Sequence, residues 1–183
     1  DRYHFNILII MDELFAVNKR RLMEFCTTLL DARERWGWDF DWSFQTHASA
    51  SLDHEVLKLA KQSGAYSFSY GLESASPRVL ASMNKKTKPS QIMEAIQIAS
   101  KVDIGFGGNF IFGDVAEDER TISETMEFFL RYCLDTHCFL GSIHPYPGSE
   151  LFETTLTRGI IRDKLEFYEH IDEHPWNMTS MPD

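Results

Sequence analysis

Five short runs rich in β-branched and aromatic residues recur along this chain of 183 residues, with helical patterns between them. Short apolar runs between turn signals predict strands, and strands that alternate with helices predict consecutive right-handed βαβ units in a parallel sheet. Because five units are too few to close a barrel, we expect an α/β fold, a partial (open) β/α barrel of about five parallel strands alternating with helices. The first run has almost no polar interruption, which predicts a strand covered on both faces. The predicted strands cover 5–10, 40–46, 66–72, 105–112 and 138–143.

Helix signals fill the gaps between the predicted strands. Periodic apolar positions predict amphipathic helices over 19–36 and 121–134. Two helix starts with Pro at the first helical position, Pro77 and Pro89, place two helices between the third and fourth strands. The other cap and stop signals are Asn18, Asp53, Gly64, Ser149 and Asp163.

Composition excludes several classes of function. The chain carries 28 acidic and 18 basic residues, a formal net charge of -10, whereas a sequence-independent grip on nucleic-acid phosphates needs a basic surface. No apolar run approaches the roughly 18 residues of a membrane span, and the opening residues lack a signal-peptide pattern. The spacing of the cysteines matches neither a zinc pair nor a disulfide framework, so we expect buried thiols in a reducing cytoplasm. These cysteines are Cys26, Cys133 and Cys138.

Polar residues follow the predicted strands. In parallel α/β folds the active site gathers where the strands end, because side chains and loops converge there. These positions therefore predict a binding site at one edge of the sheet. Alternatively, Asp12 and Glu73 only cap the helices that follow them, as acidic residues near helix starts often do. In chain order the residues are Asp12-Glu13, Thr46-His47, Glu73-Ser74, Gly113-Asp114 and His144-Pro145-Tyr146.

The glycine-rich stretch 105–110 does not read as a nucleotide-binding loop. Its glycines depart from the G-x-G-x-x-G spacing and fall inside a predicted strand rather than before a helix. Glycines inside a strand either let a flat ligand approach closely or ease the packing of the barrel, and the sequence leaves both open.

Four motifs, in the expected order, resemble the radical S-adenosylmethionine (radical SAM) superfamily. They span about residues 5–160 and together are much more specific than any one of them. The first also resembles the cobalamin-associated and methylthiotransferase-like branches. The resemblance implies that the chain is a single domain over 1–183, an incomplete radical SAM barrel with the family's strands two to six and C-terminal helices. The motifs are D-E-L-F with Asn18 at 12–18, Y-G-L-E-S-A-S-P with V-L and M-N-K at 70–85, F-I-F-G with Glu117 at 110–117, and P-Y-P-G-S at 145–149.

The sequence departs from the family pattern in two places. The hallmark C-x-x-x-C-x-x-C loop, whose thiolates hold a four-iron four-sulfur cluster, does not occur in this chain. The resemblance therefore implies that the cluster ligands lie upstream of Asp1, and we assign no metal ligand within the chain. The usual G-x-P-G-E after the family's fifth strand appears as G-D-V-A-E at 113–117, without proline, which leaves the conformation of this loop open.

The resemblance also implies which residues bind the cofactor, S-adenosylmethionine. Asp12 and Glu13 would accept charge-assisted hydrogen bonds from its amino group. No catalytic residue is assigned. The other implied contacts are Glu73 and Ser74 to the ribose or carboxylate, Asn109, Ile111 and Gly113 to the adenine, and His144 and Tyr146 to adenine or substrate.

The implied function is that of a radical SAM enzyme, in which the reduced cluster cleaves the cofactor and radical chemistry follows on a substrate the sequence does not identify. Because the cluster ligands are missing, we expect this fragment itself to be inactive. The D-E-L-F and P-Y-P-G-S forms make cobalamin in an upstream domain plausible. The expected partners are the small-molecule cofactor and substrate, with no bulk nucleic acid and no membrane, and the open sheet edges predict self-association.

Two other functions stay open. A metal-dependent hydrolase or aldolase on a β/α barrel would use His47, His144, Asp12 and Glu73 as ligands, provided that they converge. A non-catalytic scaffold remnant would instead dock a partner through the acidic surface.

Overall fold

A computed structural model describes residues 4–12, 15–46, 52–171 and 176–182 of the chain. Within these ranges strands alternate with helices, and the connection between the third and fourth strands carries two helices, as predicted. The strands are β1 (Ile7–Ile10), β2 (Asp41–Thr46), β3 (Ala65–Glu73), β4 (Gly105–Phe112) and β5 (His137–Ser142). The helices are α1 (Lys19–Trp36), α2 (His54–Gln62), α3 (Pro77–Ser82), α4 (Pro89–Lys101), α5 (Glu119–Tyr132), α6 (Glu150–Thr157) and α7 (Lys164–His170).

The strands form one parallel sheet in the order β1-β2-β3-β4-β5. Every strand therefore pairs with its neighbours in the chain, which is what consecutive right-handed βαβ units produce. The prediction of an α/β fold with an open, partial barrel is confirmed. β1 and β5 are the edge strands of the described sheet.

The observed helix bounds follow from capping. The helix predicted over 121–134 begins earlier, at Glu119, because Asp118 caps it: the Asp118 carboxylate accepts a hydrogen bond from the Thr121 amide at 3.0 Å. Gly64 follows α2 with a φ of +96°, the left-handed conformation predicted for it. Within the described ranges, no helix combines the length and apolar composition needed to cross a bilayer.

Helices cover one face of the sheet, which we call the helix face. Its strand side chains are mostly large and aromatic, and Trp42, Phe44 and Phe68 are at most 2% exposed. Burying a side chain of this size contributes about 1.5–3 kcal/mol, so this face supplies much of the stability of the fold. The helix face comprises Trp42, Phe44, Phe68, Tyr70, Leu72, Phe106 and Phe110, packed against residues of α1, α2 and α4 that include Leu22, Cys26, Val56, Leu57, Ile92 and Ala95.

The opposite face, which we call the open face, carries mainly small and polar side chains. Side chains alternate between the two faces along each strand, so residues on either side of a buried aromatic belong to the open face. Ile7 and Ile9 of β1 are 51% and 57% exposed on it, and the prediction that the first strand is covered on both faces is therefore wrong. The open face comprises Ile7, Ile9, Ser43, Gln45, Ser67, Ser69, Gly71, Gly107, Asn109 and Phe139.

Candidate functional site

A cavity of about 440 Å³ lies on the open face, toward the carboxyl ends of β2, β3 and β4. The parallel order of the strands brings these ends to one edge of the sheet, as the sequence predicted. Glu73 and Asn109, two of the predicted cofactor-binding residues, line this cavity together. The residues that line this site cavity are Gln45, Thr46, Ser69, Tyr70, Gly71, Glu73, Lys85, Gly108, Asn109 and Phe139.

Glu73 enters the cavity from an unusual backbone conformation. Its φ is +62°, and the pairing register between β3 and β4 shifts between Gly71 and Glu73. A non-glycine residue in the left-handed region is uncommon and is often part of a functional site. Gly71 makes room for the side chain, because a Cβ there would lie 2.8 Å from the Glu73 carboxylate.

Lys85 gives the cavity a second charge that sequence reasoning missed. Its ammonium nitrogen lies 2.8 Å from Oε1 of Glu73, and the side chains are 31% and 11% exposed, respectively. Lys85 reaches this place because the chain turns after α3: Asn84 has a φ of +53°, and the Lys85 amide donates to the Leu80 carbonyl at 2.8 Å. The sequence signal for this position is the M-N-K motif, in which a lysine follows an asparagine at the end of a helix.

Glu73 and Lys85 are the charged residues among those that line the cavity. Burial raises the pKa of Tyr70 above its usual range, so its hydroxyl is neutral near pH 7. Thr46 is 4% exposed, and its hydroxyl oxygen is buried with no hydrogen-bond partner in the described part of the chain. A buried hydroxyl without a partner is costly, so this oxygen is suited to bind a ligand or a water molecule.

Ser74 follows Glu73 but is not among the residues that line the cavity. Its hydroxyl oxygen lies 2.9 Å from that of Thr125 in α5, and both residues are at most 1% exposed. Ser74 therefore joins the strand end to a helix instead of presenting its hydroxyl to the cavity.

Asn109 and Ile111 lie on β4 two positions apart. Asn109 pairs with Gly71 of β3 and with Phe139 of β5, and its exposed side chain lines the cavity beside Gln45 of β2. Ile111 is half-buried and is not among the residues that line the cavity.

Close packing against the neighbouring strand explains the glycines at positions 105 and 108 of β4. A Cβ at Gly108 would lie 2.5 Å from the Tyr70 carbonyl oxygen, and a Cβ at Gly105 would lie 2.9 Å from the Tyr66 carbonyl oxygen. Real Cβ atoms essentially never approach so closely. Of the two alternatives open for this stretch, the structure supports packing of the barrel.

Gly113 begins the loop after β4 with a φ of +102°, and its amide donates to the Glu117 carboxylate. Asp114 closes this proline-free loop, because its side chain accepts from the Ala116 amide and its carbonyl accepts from the Glu117 amide, both at 2.8 Å. Glu117 is 2% exposed, and this burial raises the pKa of its carboxyl. Gly113 and Glu117 line a different cavity, of about 580 Å³, together with C-terminal residues that include Trp176, Asn177 and Pro182.

His144 and Tyr146 follow β5 and are not among the residues of the site cavity. Their ring centroids lie 6.2 Å apart, and Tyr146 is 63% exposed. Nδ1 of His144 is buried and has no hydrogen-bond partner within the described ranges. Both side chains follow the carboxyl end of a strand in the same parallel sheet as Glu73, but they do not line the same cavity.

Asp12 follows β1 and is exposed, with its carboxylate 3.4 Å from the Arg21 guanidinium. It is not among the residues that line the site cavity. Glu13 and His47, which the sequence also singled out, lie outside the described residues.

The cysteines of the chain do not fit an iron-sulfur cluster. Cys26 lies on the buried side of α1, and burial raises its pKa, while Cys133 ends α5. Cys133 and Cys138 share a hydrogen bond that raises the pKa of the first thiol and lowers that of the second. Among the residues that the structure describes, no group of three or more His, Cys, Asp or Glu residues could hold a metal ion.

Sequence relatives cover most of this chain. An uncharacterized methyltransferase of Pyrococcus horikoshii is 27% identical over 82% of the chain and 32% of its own length. The bacteriochlorophyllide d C-12(1)-methyltransferase of Chlorobaculum tepidum is 29% identical over 89% of the chain and 35% of its own length. An anaerobic magnesium-protoporphyrin IX monomethyl ester cyclase of Cereibacter sphaeroides is 26% identical over 88% of the chain and 25% of its own length. The chain thus spans about a third or less of these relatives, and no protein-family model matches it.

Solved structures share the fold. The radical S-adenosylmethionine methyltransferase TsrM from Kitasatospora setae, with cobalamin and a 4Fe-4S cluster bound, matches 85% of this chain with 29% of its own, at a TM-score of 0.72 and 12% identity. The cobalamin-dependent S-adenosylmethionine radical enzyme OxsB matches 96% of this chain with 25% of its own, at a TM-score of 0.61 and 18% identity. The strand order and these similarities agree: the chain shares the fold of these radical SAM enzymes, and its sequence is similar to those of the methyltransferases and the cyclase.

Proposed function

We propose that this chain is the part of a longer radical SAM enzyme that binds the amino-acid end of S-adenosylmethionine. The observation that carries the proposal is the Glu73–Lys85 pair in the site cavity, where an acidic and a basic group lie 2.8 Å apart on the open face. An ion pair that only stabilises the fold has no reason to border a cavity. This pair borders one that is large enough for a small ligand.

The chemistry of the pair suits the cofactor. S-adenosylmethionine carries an ammonium and a carboxylate on the same carbon, so Glu73 accepts from the first while Lys85 donates to the second. Hydrogen bonds between ionised groups are about twice as strong as neutral ones. The Thr46 hydroxyl and the side-chain amides of Gln45 and Asn109 offer further hydrogen bonds for the ribose and adenine.

The roles predicted for the other residues stay proposals. We retain Asp12 and Glu13 for the amino group, Ile111 and Gly113 for adenine, and His144 and Tyr146 for adenine or substrate. Two roles differ from the prediction of the ribose or carboxylate: Glu73 is now proposed for the ammonium because of its pairing with Lys85, and the Ser74 hydroxyl contacts Thr125 instead.

The bound cofactor and an iron-sulfur cluster would supply the radical chemistry, and the protein orients the cofactor and excludes competing reactions. In this proposal the thiolates that hold the cluster come from a segment outside this chain. The cobalamin in the TsrM and OxsB structures supports the further proposal that an upstream domain of the longer protein holds cobalamin. The free cysteines are consistent with the reducing cytoplasm we propose for it.

Titration of the chain with S-adenosylmethionine, followed by calorimetry and by the side-chain amide signals of Gln45 and Asn109 in NMR spectra, tests the proposal. We expect weak, saturable binding that shifts both signals. Lys85→Met should weaken it about tenfold or more, since a hydrogen bond to a charged group is worth about 1.5–3 kcal/mol. Lys61→Met is the matched control, because Lys61 pairs with Asp103 at 3.4 Å and does not line the cavity. Absence of saturable binding, or an equal loss in both variants, would contradict the proposal.

Anaerobic reconstitution with iron and sulfide tests where the cluster ligands lie. We expect no stoichiometric cluster on this chain in absorption and paramagnetic-resonance spectra, because its three cysteines do not converge at the carboxyl edge. A stoichiometric four-iron four-sulfur cluster would show that the chain supplies its own ligands.

The other two functions gain no specific support. The hydrolase or aldolase requires a metal held by residues that include His47, which lies outside the described residues, and metal analysis of the purified chain tests it directly. Self-association through β1 and β5 stays a prediction, which size-exclusion chromatography with light scattering checks.

A further inference from the structure

We infer that Thr125 of α5 is a positioning residue that holds the Glu73 carboxylate in the site cavity, acting through Ser74. The inference rests on the proposed function for its consequence on cofactor binding. Its structural part concerns the last residue of β3, the three residues that connect it to α3, and one helix residue that does not line the site cavity.

The hydroxyl groups of Thr125 and Ser74 form a closed network with this connection. Their oxygens lie 2.9 Å apart, the Ala75 amide donates to the Thr125 hydroxyl at 3.2 Å, and the Ser76 amide donates to the Ser74 hydroxyl at 3.0 Å. Thr125, Ser74 and Ser76 are at most 1% exposed. Because water is excluded, these two amides depend on the hydroxyls for their hydrogen bonds.

The network is needed because the backbone at Glu73 is strained. The Ser74 amide donates to the Leu72 carbonyl at 2.8 Å, which closes a three-residue turn centred on Glu73, and the φ of Glu73 is +62°. A three-residue turn with positive φ at its centre is rare and unfavourable for a non-glycine residue. Such a conformation persists only where the surrounding contacts hold it, and the contacts of Ser74, Ala75 and Ser76 lie directly after it.

This turn decides where the carboxylate points. In the left-handed conformation, Glu73 places Oε1 2.8 Å from the Lys85 ammonium and beside Gly71. If the turn relaxed to ordinary extended backbone, the side chain would leave this position, and Lys85 would lose its partner in the cavity. Thr125 thus affects the charge pair without touching it.

A second contact set ties α3, which directly follows this connection, to the start of α5. The Arg78 guanidinium donates to the Ala116 carbonyl at 2.6 Å and lies 2.5 Å from the Asp118 carboxylate, which caps α5. The connection after β3 and the loop after β4 are therefore both fixed to one helix. This arrangement explains how a residue on α5 can control a side chain at the end of β3.

Three variants separate positioning from a merely structural role. Thr125→Val keeps the shape of the side chain but removes the hydroxyl, and Thr125→Ser keeps the hydroxyl. Thr155→Val is the matched control, because Thr155 is also fully buried but its hydroxyl bonds the Phe152 carbonyl in α6. If Thr125→Val does not fold, Ser74→Ala removes the same contact from the other side without adding volume.

Amide hydrogen exchange measured by NMR tests the structural part without the cofactor. In Thr125→Val, we expect exchange at the Ala75 amide to become about tenfold faster relative to core amides of β2 and β3, because this amide loses its acceptor. In Ser74→Ala, the same acceleration is expected at the Ser76 amide, which loses the Ser74 hydroxyl. Thr125→Ser should restore slow exchange, and Thr155→Val should leave the local ratio unchanged. Equal acceleration at all amides, or none at the amide that lost its acceptor, would overturn the inference.

Titration with S-adenosylmethionine tests the functional part. If Thr125 acts through Glu73, Thr125→Val weakens binding about tenfold, and adding it to Glu73→Gln causes no further loss. Additive losses would show that Thr125 does not act through Glu73. If the unmodified chain does not bind S-adenosylmethionine, the proposed function fails for this chain, while the exchange measurement still decides whether Thr125 holds the turn.

Discussion

The two faces of the sheet differ more than any other two regions of this molecule. The helix face presents buried aromatic side chains such as Trp42 and Phe68, which belong to the core under the helices. The open face presents small and polar residues such as Ser69 and Asn109, which line cavities. Since the side chains of a strand alternate, each strand contributes to both faces at once.

The difference separates stability from binding. Large apolar side chains on the helix face remove much surface from water, whereas short side chains on the open face leave room for a ligand. A substitution on the helix face should therefore change the free energy of unfolding. A substitution on the open face should change binding with little effect on folding.

The largest expected effect compares two phenylalanines on opposite faces. Phe68→Ala removes a ring that is 1% exposed and lies 5.5 Å from the Phe106 ring, so it should lower the free energy of unfolding by about 3–5 kcal/mol. Phe139→Ala removes a ring that is 70% exposed on the open face and should cost about 0.5 kcal/mol or less. Urea denaturation of both variants measures the difference. A large cost at Phe139 would contradict this division between the two faces.

The sequence predicted the helix face well because its signals are local. Apolar runs, caps such as Asp53 and the paired helix starts at Pro77 and Pro89 depend on neighbouring residues alone, and they gave the correct order of strands and helices. The failure at β1 has the same origin. A run of apolar residues shows that a strand is buried somewhere, but whether one or both faces are covered depends on distant parts of the chain.

The site was predicted less completely for a physical reason. The strand ends identified an edge at which a cavity lies, and Glu73 and Asn109 line that cavity. The sequence could not show that Ser74 turns toward Thr125, or that Lys85 reaches Glu73, since both contacts depend on the backbone conformation at Glu73. Lys85 lies within the M-N-K motif, but the resemblance to the family implied no role for it.

A smaller effect is expected at Gly108 of β4, where neighbouring atoms leave no room for a Cβ. Gly108→Ala would place a Cβ 2.5 Å from the Tyr70 carbonyl oxygen and 2.7 Å from Leu72, so strand β4 must shift, at a cost of about 1–3 kcal/mol. Gly141→Ala is the control on β5, because the atom nearest to a Cβ there would be the Phe110 carbonyl oxygen, at 4.0 Å. Its free energy of unfolding should stay the same or rise slightly. Thermal and urea unfolding check both, and equal costs would refute the packing reason for the β4 glycines.

The smallest expected effect concerns Glu117, whose buried carboxyl lies in the loop between β4 and α5. Burial raises its pKa in the folded chain, so the folded state binds this proton more tightly than the unfolded state does.

The contribution of Glu117 to stability is thus fully present below the unfolded pKa, ordinarily near 4.5, and is lost as the pH rises through the folded value. Glu117→Gln cannot ionise and still accepts from the Gly113 amide, so its stability should exceed that of the unmodified chain at neutral pH. That advantage should shrink as the pH falls toward 4.5. Urea denaturation across this pH range measures it, with exposed Glu127→Gln as the control for net charge. A pH-independent difference would mean that the Glu117 carboxyl is solvated in the folded chain.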